Sequence, residues 1–356
     1  MKTSPLILDM TPWVRGPNTG VGLTAYHSYQ AIKQLLATLP EKDKRFDLRG
    51  VSRNPTPPPF SHFSKLQQWF GWKQGIYHSF ELKLPGVRNC KRVVTIHDLW
   101  SLSPNPYQTN SFQKRQAIKL NRAILTADHI AVPTAHVKSL LLKSYPHLIT
   151  PISVIPWGPS ISSEKSPADT LELKTYLSKN RPFLLCVATL EKRKNYELLL
   201  SSLSPELAKQ MDLVTVGELG FGGETIYATL QAMRKNYLGG IDLNKATSND
   251  LKALYSQCLG LVLVSHDEGF GIPVLEALTF GKPIIASKIP PLEEIAGPQA
   301  HYIDLTKGES QLPEALHQLC THSWNDADTK NSLLRASMFS WETTATKTLE
   351  LYQSLV

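Results

Sequence analysis

Cysteine is sparse in this chain of 356 residues, and its four copies, Cys90, Cys186, Cys258 and Cys320, are far apart. No C-x-x-C pair occurs, so buried, reduced thiols are expected rather than a zinc site or a dithiol redox centre. No run of about 18 consecutive apolar residues is found, which argues against a membrane-spanning helix. The amino terminus lacks a basic stretch followed by an apolar one and a small-residue cleavage site, so a cytoplasmic protein is expected. Internal repeats and low-complexity segments are also missing, which argues against a solenoid or a disordered tail.

Acidic residues are scarce in one half only. Residues 1–160 hold 20 Lys and Arg against 7 Asp and Glu, whereas residues 161–356 hold 18 against 23. A basic half suits phosphate, an anionic substrate or an anionic membrane surface. Nucleic acid is not an expected partner, because no reading module accompanies the basic residues.

The length fits two domains, and the pattern alternates strand-like and helix-like segments throughout. β-branched runs such as "RVVTIHDLW", ending in His97 and Asp98, read as buried parallel strands. Such alternation predicts an α/β fold with parallel sheets covered on both faces. The Gly, Pro and Ser of "WGPSISSEKSPADT" read as the linker. The expected domains are residues 1–160 and 161–339, with the C-terminal helix 340–356 completing the first. In the second half, "LGGID" reads as a turn and "NDADT" as a polar loop.

The most informative stretch is "HDEGFGIPVLEALTFGKPII", residues 266–285. It follows the apolar run "LGLVLVS" and therefore sits where a strand hands over to a helix, the usual ligand edge of a parallel sheet. Pro273 suits the first turn of that helix, and Gly269 and Gly271 allow close backbone approach to a ligand. Glu276 is expected on the first helical turn and Glu268 in the loop before it. Carboxylates accept hydrogen bonds from hydroxyl-rich partners such as a ribose or hexose. Taken by themselves, two acids so spaced are better explained by a helix dipole and a solvated loop.

Together with its neighbours, the stretch resembles the donor-binding motif of the retaining glycosyltransferases of family 4. Their GT-B architecture has two doubly wound Rossmann-like domains facing a central cleft. The resemblance implies that Glu268 contacts the transferred sugar, that Glu276 contacts the nucleotide ribose, and that the backbone of Gly269, Phe270, Gly271 and Ile272 lies near the donor. "ATLEKRKNYELLL" is similar to the family's phosphate-binding segment, with Lys194 as the phosphate lysine and Arg193 beside it. Thr189 stands where the common form has arginine. "NTGVG" resembles the glycine turn near the donor diphosphate, with Gly20 the key position and Gly22 its support. "VTIHDL" implies a catalytic-crevice role for His97, and "DLVTVGELGFGG" places Gly217 and Glu218 near the base. His78, in "GIYHS", is a candidate for facing the acceptor.

The resemblance implies transfer of a hexose, mannose favoured, from a GDP- or UDP-sugar to a hydroxyl of a glycan or lipid-linked acceptor. No metal or other cofactor is expected: the cationic Arg193–Lys194 pair stabilises the leaving diphosphate. Asp326 and Asp328 have the D-x-D spacing of manganese-dependent transferases but follow no apolar strand. Lys114, Arg115, Lys119 and Arg122 cluster on one helix and, with the aromatic segment 63–75, suit docking on the cytoplasmic face of an anionic membrane. Competing readings are an epimerase or phosphorylase of the same architecture, and a non-catalytic nucleotide-sugar-binding protein.

Overall fold

The computed structural model describes residues 3–17, 19–55, 59–62, 75–84, 89–102, 105–307, 311–321 and 324–356. These form two compact units. One comprises residues 1–104, 110–160 and 339–356, the other residues 105–109 and 161–338. Most of the aromatic segment considered for membrane docking, residues 63–74, lies outside the described residues.

The first unit carries seven strands: β1 (Ser4–Asp9), β2 (Phe46–Ser52), β3 (Ser61–His62), β4 (Gly75–Ser79), β5 (Cys90–Thr95), β6 (His129–Val132) and β7 (Ile152–Val154). Their order is β3-β2-β1-β4-β5-β6-β7, and every pair is parallel. Side chains alternate faces along a strand. Leu6 and Leu8 accordingly enter one apolar cluster and Ile7 another, so both faces of the sheet are covered. The helix Gly20–Thr38 packs on the first face and begins where the Thr19 hydroxyl accepts from Gly22 N. The C-terminal helix Trp341–Gln353 completes that core through Ala345, Leu349 and Tyr352.

The second unit carries β8 (Phe183–Val187), β9 (Asp212–Val216), β10 (Gly240–Leu243), β11 (Gly260–Leu263), β12 (Ile284–Ser287) and β13 (His301–Ile303). The order β10-β9-β8-β11-β12-β13 is again wholly parallel. Both sheets are doubly wound, with the parallel architecture expected from the alternation.

Three local expectations are corrected. "LGGID" is no turn: Gly240–Leu243 is the edge strand β10, paired with β9. Gly240 has φ +115°, and a Cβ there would lie 1.9 Å from the Leu213 carbonyl oxygen, so the glycine serves close strand approach rather than chain reversal. "NDADT" is no loop either, since the helix Asp326–Ala336 begins there, with Asn325 and Asp328 forming a capping box. Asp328 is thereby engaged with the Asn325 backbone. Glu276 is not on a first helical turn: the helix runs Ile272–Thr279, its first turn holds no acid, and Glu276 lies one turn in.

Candidate functional site

In a doubly wound sheet the ligand crevice lies where strand order reverses, beyond the carboxyl ends of the two central strands. For the second sheet those strands are β8 and β11. The loops leaving them carry Lys194 and Glu268. A short 3-10 turn, Lys192–Lys194, ends at Asn195, whose φ of 55° turns the chain into the helix Tyr196–Ser201.

The two loops are tied at several points. His266 N donates to the Arg193 carbonyl oxygen at 2.9 Å. Arg193 donates through Nη1 to the Asp267 carbonyl oxygen at 2.8 Å and through Nη2 to Glu191 Oε1 at 2.7 Å. Lys194 Nζ donates to Glu268 Oε1 at 2.6 Å, and Ser265 Oγ donates to the same oxygen at 2.7 Å. Burial opposes ionisation of Glu268, but Lys194 and Arg193 overcome it and hold the carboxyl below its ordinary pKa. Asp267 shifts the other way, raised by burial that Arg193 only partly offsets. Glu268 is therefore an anion near neutrality, an acceptor without a proton to donate.

Beyond this loop, Gly271 has φ +97°, a left-handed conformation that favours glycine. Phe270 is buried in the core. Ile272 opens the helix, and Glu276 is buried within it. The Tyr255 hydroxyl donates to the Pro273 carbonyl oxygen at 3.3 Å, and burial, followed by the nearby charge of Glu276, pushes it well above the ordinary phenol value. Gly217 lies at the end of β9, where a Cβ would meet the Ala188 carbonyl oxygen at 2.1 Å. Its presence lets the β9 and β8 exits close on each other. The Glu218 carbonyl accepts from Leu190 N, while its carboxylate pairs with Lys245 at 3.0 Å on an exposed surface. Tyr107 was not anticipated from the sequence: it stacks on His266 at 5.5 Å between centroids, within the short segment Asn105–Thr109 that belongs to this unit.

In the first unit Gly20 is the first residue of its helix. Gly22 lies over the preceding turn, where a Cβ would approach the Gly16 carbonyl oxygen to 2.2 Å. His97, two residues beyond β5, has Nε2 at 2.9 Å from the Phe80 carbonyl oxygen, which only accepts, so Nε2 carries the proton and Nδ1 is left as an acceptor. Burial lowers its pKa to about 4 despite that carbonyl, and the ring leans on Trp157 at 5.1 Å.

His78 is a correction. It is buried in β4, with Nδ1 at 2.5 Å from Tyr352 Oη and Nε2 at 2.8 Å from Thr95 Oγ1, so it fastens the C-terminal helix to the sheet. Burial, followed by the charges of His97 and His129, lowers its pKa to about 3. A strand-edge histidine in sequence is here a satisfied core residue.

On the helix Asn110–Thr126, Lys114, Arg115, Lys119 and Arg122 are all exposed. Ile118 and Leu125 are exposed among them, and the helix contains no acid. No helix among the described residues is long and apolar enough to cross a membrane.

Residues 169–321 match the family model described as glycosyl transferases group 1. O-antigen chain mannosyltransferase B of Escherichia coli is 26% identical over 295 residues, covering 80% of this chain and 75% of that relative. An O-antigen chain mannosyltransferase of Salmonella typhimurium is 39% identical over 83 residues, 21% of this chain and 24% of its own. Sucrose-phosphate synthase from Thermosynechococcus elongatus shares the fold with a TM-score of 0.74 at 17% identity, covering 99% of both chains. The wound sheets, the loop pair at the second switch point and these likenesses agree: residues 169–321 are a glycosyltransferase group 1 domain, and the chain is a glycosyltransferase of GT-B fold.

Proposed function

We propose that this enzyme transfers mannose from GDP-mannose to a hydroxyl of a growing surface polysaccharide, with retention at the anomeric carbon. The observation that carries the donor site is the Lys194–Glu268 pair at the β8/β11 switch point. The mannosyltransferase names of the relatives above support the sugar and the polysaccharide acceptor.

On this reading Lys194, with two of its three N–H donors uncommitted to Glu268, meets the donor diphosphate and stabilises charge as it leaves. Glu268, ionised and acceptor-only, holds a hydroxyl of the transferred sugar. It is unsuited to act as a general acid, which separates this site from the acid–base carboxylate pair of a glycosidase. Retention then follows from front-face attack, with the departing phosphate taking the acceptor proton and the protein supplying position and charge. Glu276 and its Tyr255 neighbour hold the ribose, Gly217 and Glu218 border the base, and the backbone of Gly269 to Ile272 lines the donor. Gly20, Gly22 and His97 are assigned their family roles within the first unit, His97 offering Nδ1 as an acceptor. No metal is called on. The enzyme works on the cytoplasmic face of a membrane, which the cationic face of the helix Asn110–Thr126 supports.

Thermal shift with GDP-, UDP- and ADP-sugars tests the assignment. GDP-mannose should stabilise the protein most, and the shift should disappear in Lys194→Gln. Equal, negligible shifts with every donor would overturn the donor site.

A further inference from the structure

The first sheet reverses order between β1 and β4, and at their carboxyl ends a chain of charged side chains runs from core to surface. Asp9 Oδ1 accepts from Thr11 N at 3.0 Å and from the Thr11 hydroxyl. Arg53 donates through Nε to Asp9 Oδ2 at 3.0 Å and through Nη2 to Glu81 Oε2 at 2.7 Å. The second oxygen of Glu81 pairs with Arg15 Nη2. Side-chain exposure climbs along the chain: 0% for Asp9, 10% for Arg53, 19% for Glu81 and 55% for Arg15.

Desolvating such ions costs more than their pairing usually returns, so stability alone does not account for the network. It ends at a ligand crevice by the same topological rule that locates the donor site. The inner two members are buried or nearly so, whereas the outer two reach solvent. A carboxylate offers about four lone-pair positions and a guanidinium five N–H groups; among the described residues the Glu81 carboxylate meets Arg53 and Arg15, and the Arg15 guanidinium meets Glu81. The result is an acceptor and a fork of donors side by side, held in place from behind.

The geometry points to a binding site at Arg15 and Glu81 for a neutral sugar ring, the terminal residue of the acceptor. This rests on the transferase reading and identifies the chemistry of its second substrate. Two carboxylates and two guanidiniums cancel, so an anion meets Asp9 and Glu81 while a cation meets Arg15 and Arg53. An uncharged polyol meets neither repulsion, and its vicinal hydroxyls can donate to Glu81 and accept from Arg15 together. Trp13, on the same short helix as Arg15, stacks on Tyr26 at 4.2 Å and packs against the core, which anchors this helix.

Saturation-transfer NMR with methyl α-glycosides of mannose, glucose and galactose, and with inorganic phosphate as the anionic control, tests the site. At least one glycoside should bind saturably to wild type and roughly tenfold more weakly to Arg15→Gln and to Glu81→Gln, the loss of one charge-assisted contact. Arg15→Lys, which keeps the charge but not the fork, should recover part of the binding. Lys194→Gln and Glu268→Gln should leave it unchanged. Glycoside binding that depends on Glu268 but not on Arg15 would overturn the assignment, as would Arg15-dependent binding of phosphate in place of glycoside, or no saturable glycoside binding at all. Because Arg15 is largely exposed, its substitution leaves the fold intact even if Glu81→Gln does not. Thermal shifts with GDP and UDP, read in parallel, report separately on the donor site.

Discussion

Lys194 Nζ lies 2.6 Å from Glu268 Oε1, although the two residues stand 74 positions apart on loops that leave β8 and β11. Each side chain is about nine-tenths buried. Neither is therefore an independent surface charge. The cation keeps the carboxylate ionised, and the carboxylate holds the lysine at the switch point.

This coupling makes the pair's kinetics non-additive. Lys194→Ala should lower kcat by about 10², the scale for losing one preorganised charge donor. Glu268→Gln should also lower kcat, and the double variant should lose less than the product of the single losses. Steady-state rates for the three proteins check this. Independent, multiplicative losses would show that the pair does not act as one unit.

Arg193 differs from its neighbour because Asp267 and Glu191 already hold both of its terminal nitrogens. Arg193→Lys cannot make both contacts. Its kcat should fall about tenfold, consistent with a displaced loop, with little change in nucleotide affinity measured by calorimetry. A large drop in affinity instead would assign Arg193 to the phosphates directly.

Buried His78 sets an acid limit. Its pKa is lowered from 6.5 to about 3 in the folded protein. Between those values the unfolded chain binds the additional proton, so the stabilisation is complete above pH 6.5 and is lost as the pH falls towards 3. By pH 4 the loss amounts to about 3 kcal/mol. Denaturant unfolding across this window should be steeper in pH for wild type than for His78→Gln. Equal slopes would contradict neutral burial of the ring.

Gly22→Ala tests the helix start beside Gly20. The added Cβ would meet the backbone oxygen of Gly16, which cannot rotate away as a side chain does. Overpacking of this kind costs about 1–3 kcal/mol, so the melting temperature should fall by several degrees. A variant melting with wild type would show that the turn yields.

The helix Asn110–Thr126 should bind vesicles containing anionic lipid. Each cation near such a surface contributes about 1 kcal/mol, so Arg115→Glu, Lys119→Glu and Arg122→Glu combined should abolish co-sedimentation. Ile118→Ser with Leu125→Ser should reduce the part that survives high salt. Wild-type binding indifferent to both lipid charge and salt would remove the membrane from the proposal.

Much of the fold was legible because parallel strands are buried on both faces and are therefore apolar along their whole length. "LGLVLVS" and "RVVTIHDLW" announce themselves in this way. Edge elements were harder. The strand Gly240–Leu243 carries glycines that read as punctuation, and only its close approach to β9 explains them. Asp326 and Asp328 likewise read as loop acids until Asn325 is seen to cap a helix.

The sequence by itself determined the doubly wound α/β class and the position of the switch-point loop at 266–272. Those features are local: an apolar run, a glycine turn and a helix start lie within a few residues of one another. Tertiary structure alone decided what each charged or titratable group meets. Glu268 became an ionised partner of Lys194, Arg193 a loop clamp and His78 a core fastener, while Asp9, Arg53, Glu81 and Arg15 joined in one network through pairs as far apart in the chain as Arg15 and Glu81. Pairing across such separations depends on which strand ends the sheet order brings together, and periodicity within a segment holds no record of that order.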